Sequence, residues 1–262
     1  MTPELMGVVN VTPDSFSDGG LYLDPEAAIA HGEELARAGA AILDVGGEST
    51  RPGAESVAVE VELARVAPVI AGLSGLDARV SVDTSKRAVA EAALDAGAEI
   101  VNDVTALRSD PEMAALCADR EATVVLMHML GEPRTMQEEP SYDDVVADVK
   151  AFLVARLEAA TDAGIAVERI WLDPGIGFGK TAAHNLELLR RLPELVELGR
   201  PLVIGASRKS FIGRVDGSAA GERLGGTIAT AVLAAADGAA VLRVHDVAEV
   251  DQALAVATAI LG

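Results

Sequence analysis

At 262 residues, 50% of them hydrophobic but only 3% aromatic, the chain can fill one large core with Ala, Val, Leu and Ile, and an α/β barrel commonly occupies about 250 residues as a single domain. A formal net charge of -20 argues against nucleic acid or an anionic membrane as partners, because both need a basic face. The lone Cys117 rules out an intrachain disulfide and fits a reducing cytoplasm, and no apolar run approaches the roughly 18 residues of a membrane span.

A first strand over residues 6–10 leads into a turn-rich stretch, residues 10–20, whose Phe16 suits a flap over a flat ligand. Asp24-Pro25 then places an N-cap before a proline at the first position of a helix over 25–38, and Asp110-Pro111 does the same for a helix over 111–120. An irregular repeat runs through the chain at residues 38–45, 96–103 and 237–244. In each copy a glycine ends a helix, a short apolar strand follows, and a polar residue stands five positions after the glycine: Asp44, Asn102 and Arg243. Further strands fit at 79–83, 123–128, 169–173 and 202–206. Helical patterns fill 57–73, 86–96, 142–163, 182–197, 223–236 and 247–261. Eight strands alternating with eight helices, with no linker, predict one (β/α)8 barrel domain over 1–262, with a doubly wound open sheet as the fallback, disfavoured because no Gly-x-Gly-x-x-Gly follows the first strand.

In such a barrel the side chains at the carboxyl ends of the strands converge on the active face. Here they are Asn10, Asp44, Asp83, Asn102, His128, Asp173, Lys209, Arg243 and His245. Unpaired charge beside a core is costly, so nine polar groups at apolar strand ends point to a site. Four segments shape it. Residues 46–53 combine backbone-freeing glycines with Arg51, whose fork can grip a carboxylate or phosphate. Residues 173–180 form a glycine-rich turn without the ending of a nucleotide-binding loop, and an acid plus Phe178 there suits a planar heterocycle. Residues 201–213 deliver Lys209 from a short strand, with Ser207 or Ser210 available to cap the next helix. Arg243 and His245 share one side of the last strand beside a helix start, an arrangement that attracts a multiply charged anion. His31, His128, His184 and His245 lack metal-ligand spacing, while magnesium, which takes few protein oxygens, stays compatible.

With these residues in view, the chain resembles the dihydropteroate synthase family along essentially its whole length. The resemblance rests on residues 6–20, 47–53, 82–84, 102–104, 126–129, 173–175, 207–210 and 243–246. It implies a (β/α)8 barrel, a homodimer, and condensation of a 7,8-dihydropterin 6-methyl diphosphate with p-aminobenzoate, releasing pyrophosphate. By matched position, Asp83, Asn102, Asp173 and Lys209 would hold the pterin, and Met127, Val104, Gly205 and Phe178 would line its pocket. Asn10, Arg243 and His245 would bind the diphosphate, with the Asn10 amide oxygen offered to Mg2+. Phe16, Thr50, Arg51, Pro52, Lys209 and Ser210 would frame the p-aminobenzoate site. Asp83, Lys209, Asn10, Arg243 and His245 are the expected catalytic set.

Only nine residues precede Asn10, so a hairpin closing the barrel bottom is expected to be short or absent. No insertion sits beside residues 51–53, so sulfonamide sensitivity is expected. Arg208 receives no role and reads as a solvated cation. The competing readings are a pterin-binding methyltransferase on the same barrel, which has no need of Arg51 or the Arg243/His245 pair, and a non-catalytic pterin-binding paralogue, which has no need of intact loops.

Overall fold

The computed structural model describes residues 2–12, 24–50, 53–131 and 135–261. Eight strands form one parallel sheet: β1 Glu4–Asn10, β2 Ile42–Gly46, β3 Arg79–Asp83, β4 Ile100–Asp103, β5 Thr123–Met127, β6 Ile170–Asp173, β7 Val203–Ile204 and β8 Val241–Val244. Their order is β6-β5-β4-β3-β2-β1-β8-β7. The ends of that row meet where Leu172 bridges Leu202 and the Leu172 N–H donates to Pro201 O at 2.9 Å, which closes the barrel. Around it lie α1 Pro25–Arg37, α2 Val59–Leu73, α3 Arg87–Asp95, α4 Met113–Asp119, α5 Val145–Asp162, α6 Ala182–Arg190, α7 Leu192–Val196, α8 Ser210–Asp216, α9 Leu224–Ala236 and α10 Val247–Leu261. Among the described residues no helix is long and apolar enough to cross a membrane.

The two-residue period of a strand decides what the barrel does at each level. Met6, Ile42, Ile100, Val125, Trp171, Val203 and Val241 form a closed apolar cluster inside the barrel. Two residues further along the same strand faces stand Asp44, Asn102, Met127, Asp173, Gly205 and Arg243. The apolar layer is therefore a floor, and the next layer toward the carboxyl ends is polar. The opposite strand faces, with residues such as Leu43, Val45, Val82, Val101, Val124, Leu126 and Leu172, pack under the helices in a second, larger core.

The repeat glycines fulfil their expected role. Gly39, Gly97 and Gly238 have φ of 107°, 109° and 97°, a backbone that a β-carbon disfavours and that turns each helix end back into a strand. Asp24 caps α1 as expected, accepting from Glu26 N.

Other boundaries move for local reasons. The helix expected over 111–120 begins only at Met113, because Asp110 spends one oxygen on Glu112 N (3.1 Å) and the other on Arg87 N (3.3 Å). The helix expected over 182–197 breaks at Arg191, one residue before α7 and two before Pro193. The pattern over 142–163 becomes helical at Val145, where Asp144 accepts from Val146 N and Ala147 N. Strand β7 shrinks to two residues, and α8, not separately expected, follows Lys209. Neither Ser207 nor Ser210 caps it: Lys209 is the N-cap residue, and no side chain makes a cap bond.

Candidate active site

Asp44, Asp83, Asn102 and Asp173 are all buried at the carboxyl end of the barrel, with Arg243 half-buried among them. Asp44, 0% exposed, organises this layer. Its Oδ2 accepts from Asn102 Nδ2 at 3.0 Å and from Arg243 Nε at 2.6 Å, while Arg243 Nη2 donates to Asp83 Oδ2 at 2.9 Å. One guanidinium thus spans two carboxylates. The sequence reading leaves Asp44 without a role, although its place in the glycine repeat beside Asn102 and Arg243 was the signal for one.

Burial pushes the Asp83 carboxyl up to about 7, with Arg243 opposing and Asp44 adding to the rise. Asp173 is also raised by burial, against the pull of Lys209. Burial lowers Lys209 to about 8, opposed by Asp173 and assisted by Arg243. Arg243 is held firmly charged, since the attraction of Asp44 and Asp83 outweighs the burial that opposes it.

The glycine-rich turn after β6 folds directly onto the end of β5. At Gly175, φ is 67° and a β-carbon would lie 1.9 Å from His128 O, so only glycine permits this approach. Asp173 Oδ1 pins the turn by accepting from Gly175 N at 2.7 Å. Phe178 then packs against a buried apolar wall of Val104, Met127, Met129 and Met136. Lys209 Nζ stands over the Phe178 ring, 4.4 Å from its centroid, and donates to Ile176 O. Gly205 faces the same place, since a β-carbon there would lie 3.9 Å from Lys209 Nζ and 3.8 Å from Arg243 Cβ.

Lys180 closes this turn from beneath. It is 3% exposed, and its Nζ donates to Phe178 O at 2.9 Å and, more distantly, to His128 O at 3.4 Å, and lies 2.9 Å from His128 Nδ1. His128 is therefore turned away from the pocket as a support for the turn.

Arg208 is not the solvated cation expected from the sequence. Its Nε donates to Asp246 Oδ2 at 2.9 Å and its Nη2 to Asp246 Oδ1, while Arg223 Nη1 donates to Arg208 O at 3.0 Å. Beside this clasp Ser207 Oγ lies 3.0 Å from His245 Nδ1 and accepts from the His245 backbone N–H at 3.3 Å. The Lys209 turn and the Arg243–Asp246 segment are thus joined side by side.

Of the remaining expected residues, Asn10 is half-buried at the end of β1 and Thr50 half-buried in the loop after β2. Ser210 opens α8 and is exposed. Phe16, Arg51 and Pro52 lie outside the described residues. Among the described residues no cluster of three or more His, Cys, Asp or Glu could hold a metal ion. One corner does offer hard oxygen donors: a β-carbon at Gly46 would lie 3.8 Å from Asp83 Oδ2 and 3.9 Å from Asn10 Oδ1, and Asp83 Oδ1 is buried without a hydrogen-bond partner.

The Pterin binding enzyme family matches residues 6–245. Over 260 residues the chain is 48% identical to dihydropteroate synthase of Escherichia coli (strain K12), covering 99% of this chain and 92% of that protein. It is 49% identical over 251 residues to that of Mycobacterium leprae (strain TN), covering 93% and 88%. Among solved structures, Yersinia pestis dihydropteroate synthase with a sulfonamide drug complex superposes with a TM-score of 0.96 at 44% identity, covering 99% of this chain and 94% of that one. The Xanthomonas albilineans enzyme in complex with 7,8-dihydropteroate gives a TM-score of 0.88 at 49% identity, with the same coverage. A family match that runs from the first strand to His245, together with near-full-length likeness in sequence and fold, means that the chain belongs to the pterin-binding enzymes, among the dihydropteroate synthases.

Proposed function

We propose that this chain condenses a 7,8-dihydropterin-6-ylmethyl diphosphate with p-aminobenzoate to give 7,8-dihydropteroate and pyrophosphate. The observation that carries the reading is the position of Lys209, stacked on Phe178 beside the apolar wall on one side and facing Arg243 across Gly205 on the other. A flat, hydrogen-bonding ring and an anionic leaving group each have a fitting wall, and one lysine stands at their boundary.

In this reading the Asp83 and Asp173 carboxylates and the Asn102 amide oxygen accept from the amino and imino N–H groups of the pterin, and Lys209 donates to its carbonyl. Val104, Met127, Phe178 and Gly205 enclose the ring. Arg243 has five N–H donors, of which two N–H groups are directed at Asp44 and Asp83. The rest suffice to take a diphosphate oxygen while the carboxylates hold the plane of the fork. His245 and Asn10 complete the anion end.

The step we infer is dissociative. As diphosphate departs, positive charge spreads into the electron-rich pterin, and Asp83 is placed to steady it. The neutral arylamine then attacks the methylene carbon, losing a proton afterwards, and needs no strong base. The chain's contribution is positioning and preorganised charge. Magnesium, fitting the oxygen donors near Asn10, would supply further charge neutralisation on the departing diphosphate. Thr50, Arg51, Pro52, Phe16 and Ser210 are proposed to frame the arylamine.

The reading also includes a homodimer, supported by exposed Leu233 on α9 and Val256, Ile260 and Leu261 on the neighbouring α10, and a cytoplasmic location, supported by the free, buried Cys117. Competitive inhibition by sulfonamides at the arylamine position is part of the same proposal. The deciding experiment supplies both substrates and Mg2+ and measures pyrophosphate together with dihydropteroate. Formation of both in equal amounts is expected. Pterin binding without product would instead favour a non-catalytic paralogue.

A further inference from the structure

One partly buried ionic device lies outside the strand-end cluster and has no part in the reaction as described. Lys86 Nζ donates to Glu48 Oε2 and to Glu62 Oε2, both at 2.5 Å. Glu62, on α2, is 1% exposed. The same Glu48 oxygen accepts from Val57 N at 2.8 Å and from Ser56 Oγ at 3.0 Å. Glu48 thereby ties the start of the β2–α2 loop to its end, and Arg65 Nη1 adds a bond to Gly47 O at 2.7 Å. Lys86 itself stands three residues after Asp83, at the N-cap position of α3, its backbone N–H donating to Thr84 Oγ1 at 3.2 Å.

We propose that Lys86 is a positioning residue that fastens the stem of the β2–α2 loop to the Asp83 end of the site and so sets the affinity for the arylamine substrate. The proposal rests on the synthase reading above, in which the loop bearing Thr50 frames p-aminobenzoate. A loop pinned only at its two strand and helix ends can pivot. Here a third anchor joins it to the β3–α3 connection, three residues past Asp83. Burial opposes the charge on Lys86, but its two carboxylate partners outweigh it and hold the ammonium firmly protonated, so the anchor does not release at physiological pH. Loosening a loop whose contacts are as strong in the bound substrate as in the transition state raises KM for that substrate and leaves kcat unchanged.

A merely structural ion pair would affect both substrates alike or only stability, whereas an anchor for this loop separates them. In Lys86→Met, KM for p-aminobenzoate is expected to rise roughly 10-fold, while KM for the pterin diphosphate and kcat stay unchanged. Lys86→Arg should restore much of the loss. If Lys86→Met fails to fold, Glu48→Gln decides, since it leaves the Lys86–Glu62 pair in place and keeps an amide oxygen for Val57 N and Ser56 Oγ while removing the charge that Lys86 grips. Equal rises in both KM values, or an unchanged KM for p-aminobenzoate in a folded variant, overturns the proposal. Hydrogen exchange over residues 47–58 provides a readout independent of catalysis: faster exchange in Glu48→Gln supports the anchor and an unchanged rate overturns it. Absence of synthase turnover in the wild-type protein would defeat the functional reading and leave the anchor to be judged by exchange alone.

Discussion

Lys180 Nζ lies 2.9 Å from His128 Nδ1, and both side chains are buried beneath the turn that carries Phe178. Burial holds the lysine down at about 7, with Asp173 opposing, and holds the histidine down at about 3. Both shifts act on stability with the same sign. Between about 7 and the lysine's ordinary 10.5, the unfolded chain carries a proton that the folded chain does not, so stability contributed by this group rises with pH across that window. Between about 3 and the histidine's ordinary 6.5 the same inequality holds, and stability is lost on acidification. Urea denaturation of wild type and Lys180→Met from pH 7 to pH 10 should show the wild type gaining on the variant as pH rises. A difference that stays flat would mean that Lys180 keeps its ordinary proton affinity.

Lys209 is expected to matter in its charged form. Lys209→Ala should lose a charge-assisted contact equivalent to about 10-fold to 150-fold in kcat/KM. Because burial lowers its pKa to about 8, wild-type affinity for pterin diphosphate should weaken as pH rises through that value, and Lys209→Arg should remove this alkaline limb. Wild-type turnover by Lys209→Ala would refute the assignment.

The barrel was legible because its signals are periodic. The glycine that ends a helix and the polar residue five positions on recur at Asp44, Asn102 and Arg243, and alternation along a strand places each above the apolar floor. Asp173, Phe178 and Lys209 were legible for a similar reason, since each sits within a few residues of a strand end. What stayed hidden was pairing across the fold. Lys180 meets His128 across 52 positions, Arg208 meets Asp246 across 38, and Lys86 meets Glu48 across 38. No spacing rule reaches that far in a chain with 41 acidic residues from which to choose. The strand expected over 202–206 is present as β7, and only its shortness was hidden, because its neighbour β6 reaches it through a single bridge at the barrel seam.

The Arg208–Asp246 clasp gives a prediction opposite to a surface cation's. Arg208 holds φ at 56°, a left-handed backbone that costs a non-glycine residue of order 1 kcal/mol. Arg208→Gly would relieve that strain yet remove the two-pronged grip on Asp246. If the clasp aligns Lys209 with His245, Arg208→Gly should lower kcat/KM by roughly 10-fold despite its relaxed backbone. A double-mutant cycle with Asp246→Asn should give a coupling of about 0.5–3 kcal/mol. Additive losses would assign the two residues independent roles.

Asp44 offers the sharpest separation of stability from activity. It is fully buried, it accepts from both Asn102 and Arg243 through Oδ2, and its Oδ1 has no hydrogen-bond partner. Burying an ion pair costs desolvation that its own attraction often fails to repay, so the fold gains little stability from this carboxylate. Its benefit must lie in aiming the Asn102 amide and the Arg243 guanidinium at neighbouring parts of one substrate. Asp44→Asn keeps the shape and an oxygen that can accept from both neighbours, but removes one of the two negative charges that hold the Arg243 guanidinium. The expected result is a thermal midpoint at or above that of the wild type, with kcat/KM for pterin diphosphate reduced by about 10-fold to 100-fold. A lowered midpoint with unchanged kinetics in the folded fraction would make Asp44 a structural acid, and the alignment of Asn102 with Arg243 would need another cause.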